Sequence, residues 1–66
     1  MRIVINGQPH EYRDAPTVAA LLATLGMVGR RVAVEINTEI LPRSRHHDHR
    51  LQDGDRVEVV QAIGGG

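Results

Sequence analysis

Residues 2–12 read RIVINGQPHEY, and the rest of the fold follows from how they are read. Ile3-Val4-Ile5 is a β-branched run, Asn6-Gly7 follows it, and a second short run ends at Tyr12. An Asn-Gly pair between two β-type segments predicts a two-residue hairpin, because both central turn positions need positive φ. The chain therefore opens on two antiparallel strands.

Working outward, DAPTVAALLATLG (14–26) places Val18, Leu21, Leu22 and Leu25 at the i, i+3, i+4, i+7 spacing of one helix face. Thr17 after Pro16 is a good N-cap and Gly26 a good terminating glycine. In RRVAVEIN (30–37), Val32, Val34 and Ile36 alternate with Ala33 and Glu35, the pattern of a half-buried strand. Asn37-Thr38-Glu39 turns into a short Ile40-Leu41-Pro42. RSRHHDHR (43–50) is polar and irregular, Asp53-Gly54 is a turn, and a final strand starts near Arg56.

The order β-β-α-β-β-β predicts an α+β fold, with a mixed sheet of about five strands and one main helix packed across one face. Pro9 and Pro42 each lack a ladder donor, which predicts that the second and fourth strands are sheet edges. The first, third and last strands then form the interior, with first and last parallel in the middle. That is a β-grasp, or ubiquitin-like, arrangement. Residues 1–63 are expected to form this domain and residues 64–66 a flexible glycine tail.

A chain of 66 residues makes one domain with one thin core. A deep catalytic cleft does not fit within it. Eight basic and eight acidic residues give a formal net charge of zero. Without a basic surplus, neither nucleic acid nor an anionic membrane is expected as the main partner. The absence of a long apolar stretch or a signal-peptide pattern predicts a cytoplasmic location. There is no cysteine, which excludes disulfides, thiolate metal sites and a persulfide on the chain. All eight basic residues are arginine, which reads as genomic base composition and leaves no lysine for isopeptide bonds.

VING (4–7), TVAALLATLG (17–26), AVEIN (33–37) leading to ILPR (40–43), LQDGDRVEVV (51–60) and the diglycine Gly65-Gly66 together resemble the sulfur carrier proteins of thiamin synthesis, the ThiS family. The resemblance covers essentially the whole chain, and a third glycine at Gly64 is the visible departure. It implies that the protein is a cosubstrate and not an enzyme. The carboxylate of Gly66 would be adenylated by an adenylyltransferase of the ubiquitin-activating-enzyme superfamily, which uses ATP and Mg²⁺. Sulfur derived from a cysteine desulfurase would replace AMP to give a thiocarboxylate, and thiazole synthase would take that sulfur. No cofactor would be bound to the chain itself, which is expected to be a monomer when alone.

The residues suit that chemistry. A terminal carboxyl has a pKa of about 3.3–3.7, so at neutral pH it is an anion and a poor electrophile. Its oxygen must first become part of a leaving group. Three extended residues reach ~10 Å at ~3.3–3.6 Å each, and Gly64 and Gly65 add no Cβ to widen a channel. Ordering such a tail costs about 1–2 kcal/mol per residue, so docking of the globular surface must offset it. Ile63 is the apolar anchor expected to help, and Arg43, with Arg45 and Arg50, is expected to meet an acidic partner surface.

Other features have plainer readings. His46, His47 and His49 with Asp48 invite a metal site, but no sequence-distant ligand accompanies them, so a solvated loop is expected and no metal. Tyr12 reads as packing at the sheet edge, and Asp53 and Asp55 as turn residues. Three other functions remain open at this stage. They are a small subunit of molybdopterin synthase, a ubiquitin-like modifier of proteins, and a regulatory β-grasp binding module whose tail does nothing.

Overall fold

The Asn6-Gly7 hairpin forms in the computed structural model, which describes residues 1–61. Strand β1 (Arg2–Ile5) pairs antiparallel with β2 (Gln8–Glu11), and Ile5 faces Gln8 across the turn. Asn6 and Gly7 have φ of 48° and 82°, the left-handed values a two-residue hairpin needs. The chain continues through α1 (Val18–Thr24), β3 (Val32–Ile36), β4 (Glu39–Leu41), a 3₁₀ turn (Arg43–Arg45) and β5 (Arg56–Gln61). The expectations for Ile63, Gly64, Gly65 and Gly66, and for a boundary between 63 and 64, lie outside the described residues.

The sheet order is β2-β1-β5-β3-β4. Strand β5 is parallel to β1 through Val4–Arg56 and Ile5–Val57, and antiparallel to β3 from Ile36–Val57 to Val32–Gln61. This is the β-grasp sheet expected from the sequence. The two prolines contribute differently. Val4 faces Pro9 across the hairpin, yet its N–H donates to the Asp55 carbonyl at 3.0 Å, so the missing donor of Pro9 is not called upon. Pro42 lies past the end of β4. It stops that edge strand but does not explain why the strand is an edge.

The core is drawn from both layers. Ile3, Ile5, Val34, Val57 and Val59 point inward from the sheet, and Val18, Leu21 and Leu22 from the helix, all buried. Leu25, the fourth residue of the helical stripe, packs against them but is only half-buried because α1 ends one residue earlier. Leu51 completes the core from the segment before β5 and is 1% exposed.

Three side chains tie β5 and the turn before it to the neighbouring strands, Asn6 and Asp53 on the β1 side and Asn37 at the end of β3. Asn6 Oδ1 accepts from the Val59 N–H at 2.8 Å, and its Nδ2 donates to the Val59 carbonyl at 3.3 Å. Asn37 Oδ1 accepts from the Arg56 N–H at 3.0 Å. Asp53 Oδ1 accepts from the Arg2 N–H, while Gly54 donates to the Arg2 carbonyl at 2.7 Å. The turn before β5 is thus stitched to β1, which goes beyond simple turn chemistry for Asp53. Asp55 works both locally and across the fold, since its Oδ2 accepts from the Gln52 N–H at 2.7 Å and its Oδ1 from Asn37 Nδ2 at 2.9 Å.

The β3–β4 turn uses Asn37 and Thr38 at φ of 51° and 74°. Thr38 is β-branched and pays a steric penalty there that Gly7 avoids in the first hairpin. Replacing Thr38 with Gly is expected to stabilise the domain by about 1 kcal/mol. A domain of this size would then melt about 4–8 °C higher. An unchanged or lower Tm by circular dichroism contradicts the strain assigned to this turn.

Candidate functional site

Strand β5 sits at the centre of the sheet, and it is the element that leads toward the glycines. Its last described pairing is Gln61 with Val32. Along its second half, ladder pairing comes from β3, and on the other side the Asn6 side chain holds Val59. The chain therefore passes beyond Gln61 from a strand that is fixed by its register.

The segment 43–49 is more ordered than its polar composition suggests. Its backbone carbonyls serve the start of α1: Val18 N–H donates to His49 O at 3.0 Å and Ala19 N–H to His46 O at 2.8 Å. Ala20 N–H donates to the Thr17 hydroxyl at 3.1 Å, the N-cap bond expected from the sequence. The first-turn donors that a helix leaves unpaired are thus satisfied by the loop as well as by the cap. In meeting this geometry the loop carries His46 inward. His46 is 8% exposed, which corrects the expectation of a wholly solvated histidine loop. His47 stays exposed, and among the described residues no three histidine or acidic side chains converge as metal ligands.

The arginines proposed for docking separate into two kinds. Arg45 Nε donates to Asp48 Oδ1 at 3.0 Å, and this bond holds the Asp48 carboxyl below its ordinary pKa. Arg50 donates to the Ala15 carbonyl at 3.0 Å. Arg43 is exposed and its side chain makes no such bond among the described residues. Tyr12 is half-buried against the core, and its carbonyl accepts from the N-terminal ammonium at 2.7 Å. Packing is therefore the role of this residue.

Two surfaces accompany the end of β5. On the sheet face turned away from the helix, Glu35 lies directly opposite Glu58 and Ala33 opposite Val60, with Ile40 beside Glu35 on the neighbouring strand. Ile40 and Val60 are 70% and 58% exposed. Like charges placed opposite each other weaken a sheet, so this acidic and apolar face is not arranged for stability. On the helix side, a cavity of about 350 Å³ lies between α1 and the α1–β3 loop, with Arg30, Arg31, Arg43 and His46 in its wall. The sequence reading missed Arg30 and Arg31 and put His46 in a solvated loop, because only the folded chain brings the three together.

The model of the ThiS family matches residues 3–66 of this chain. The chain belongs to the ThiS family. The ThiS-family match is end to end with the sulfur carrier protein ThiS of Escherichia coli, at 36% identity over 66 residues and 100% of both chains. A thiazole synthase of Paramagnetospirillum magneticum is 47% identical over 66 residues, and a thiazole synthase of Magnetococcus marinus 41%. The chain spans about a fifth (20%) of the length of each of these two proteins. The crystal structure of the thiamine biosynthesis protein ThiS from Geobacter metallireducens superposes with a TM-score of 0.82 at 35% identity, covering all of both chains. A β-grasp sheet with one helix is thus the fold of a solved ThiS-family protein. Among the described residues, no helix is long and apolar enough to cross a membrane.

Proposed function

We propose that this protein is a sulfur carrier for building the thiazole ring of thiamin, and that it acts in the cytoplasm as a cosubstrate. The carboxylate of Gly66 attacks the α-phosphate of ATP on a partner adenylyltransferase, releasing pyrophosphate and leaving an acyl adenylate. A sulfur nucleophile derived from a cysteine desulfurase then adds at the carbonyl carbon and AMP departs. The product is a thiocarboxylate, whose sulfur passes to thiazole synthase. ATP and Mg²⁺ belong to the partner.

The observation that carries this reading is the end-to-end match with a protein named as a sulfur carrier, a match that extends over Gly65 and Gly66 of this chain. Physical chemistry supports the same assignment. Gly64 and Gly65 place no side chain beside the path to the carboxylate, and the chain has no cysteine to attack the thiocarboxylate once formed. Strand β5, held by β1, β3 and Asn6, gives the tail a rigid base. With the base fixed, binding does not have to order β5 itself, which limits the entropic cost. The test is intact mass spectrometry of the chain after incubation with ATP, the adenylyltransferase and a sulfur donor.

A further inference from the structure

The cavity beside α1 has features that sulfur transfer at Gly66 does not use. Leu22, Met27 and Val28 give it apolar surface, and Val28 is 74% exposed. Arg30, Arg31 and Arg43 line it, and among the described residues no acidic residue does, although the chain has as many acids as bases. Arg2 and Arg45 are paired with Glu11 and Asp48. Among the described residues, no ion pair or side-chain hydrogen bond engages Arg30, Arg31 or Arg43. His46, also in the wall, is more than nine-tenths buried, and among the described residues its Nε2 has no hydrogen-bond partner. Buried ring nitrogens are normally paired, so this one is a group whose partner is not within the described residues.

The cavity also lies at the right end of the sheet. Val32 lines it and is the residue opposite Gln61, from which the chain continues toward Gly66. A protein that takes up the tail is brought against this wall.

We propose that the cavity is a docking socket for an acidic segment of thiazole synthase. A carboxylate of that segment lies among the guanidinium groups of Arg30, Arg31 and Arg43, and an apolar side chain covers Met27 and Val28. Arginine with adjacent apolar surface is the composition of an interface core. Guanidinium groups bind carboxylates through two parallel hydrogen bonds, a geometry a lysine cannot reproduce. Thiazole synthase is the partner because a stretch matching this whole chain occurs within proteins of that name. The inference rests on the sulfur-carrier reading, since that reading is what brings the two proteins together.

The test measures the Kd of the full chain for purified thiazole synthase by calorimetry at low and high salt, beside the mass-shift assay for thiocarboxylate formation. The double variant Arg30→Glu/Arg31→Glu is expected to bind about tenfold or more weakly, as charge reversal in a complementary site does. The salt dependence seen for the wild type should shrink in this variant. Conversion to the thiocarboxylate, which uses a different partner, should continue. Glu35→Gln, on the other sheet face, should leave Kd unchanged. If the double variant does not fold, Arg43→Glu is read in its place. A Kd within about twofold of wild type for a folded variant, or no binding of wild type to thiazole synthase, overturns the socket. Failure of the wild type to gain sulfur overturns the carrier reading itself, and the mass assay reports that separately.

Discussion

Deleting Gly65 and Gly66 is expected to abolish thiocarboxylate formation completely while leaving the fold intact. The reasoning has two independent halves. The described core runs from Ile3 to Val59, and the last ladder pair is Val32–Gln61. Gly65 and Gly66 carry no side chain, so their removal takes none from the core, and stability should change by no more than about 0.5 kcal/mol, as for surface changes generally. Function should respond in the opposite way. Shortening the chain by two residues withdraws its carboxylate by about 7 Å at ~3.3–3.6 Å per residue. Adenylation requires reacting atoms within about 3–3.5 Å of each other, so the truncated carboxylate is out of range in a complex docked through the same surface. The measurement pairs a thermal melt with intact mass spectrometry. An unchanged melt and no sulfur gain is the expected result. Sulfur gain by the truncated protein would show that the acceptor is elsewhere.

The second large effect is on stability. Leu21→Ala should unfold a substantial fraction of the protein at 37 °C. Leu21 is fully buried on the helix face that meets the sheet, and truncating such a residue costs about 2–5 kcal/mol. A domain of this length is expected to have only about 3–10 kcal/mol in total, at roughly 0.05–0.15 kcal/mol per residue. The helix has seven residues and is too short to persist without packing, so losing its central contact loosens the helix as well as the core. Leu21→Met, which keeps volume, should cost less than about 1.5 kcal/mol. Urea unfolding of the three proteins checks this. A Leu21→Ala loss smaller than about 1 kcal/mol would mean that the core closes over the gap, contrary to the usual response of close-packed interiors.

Much of this architecture is legible in the chain because its signals are local. The Asn6-Gly7 turn, the Thr17 cap, the Val18–Leu22 stripe and the Val32–Ile36 alternation each specify backbone within a few residues, and each is realised. Strand order followed from proline only in part. Pro9 sits in an edge strand as expected, whereas Pro42 follows β4 and owes its place to ending that strand. What could not be read is what depends on distant pieces meeting. Leu51 is core because the loop before β5 passes under α1, with its N–H donating to Pro16 O at 2.9 Å. His46 is buried because the same helix needs carbonyls at its first turn, and a histidine next to two solvent-exposed neighbours carries no sequence signal of that. The second function of Asn6, clamping Val59 across 53 positions of sequence, is equally invisible locally.

The residues proposed to act divide along the same line. The role proposed for Gly66 is legible because it depends on chemistry at one atom and on the residues just before it. The wall formed by Arg30, Arg31 and Arg43 is not, because thirteen positions and a whole β-hairpin separate Arg30 from Arg43 in the chain. A docking surface is a property of the folded sheet and loops, while the reacting group is a property of the sequence.

The central claim is that Gly66 carries the sulfur. Intact mass spectrometry after incubation with ATP, Mg²⁺, the partner adenylyltransferase and a sulfur donor tests it most directly. The account predicts a mass gain equal to exchanging one oxygen for one sulfur, assigned by fragmentation to Gly66 and absent when ATP is withheld. An unchanged mass, with the same enzymes shown to be active on an established sulfur carrier, would contradict it.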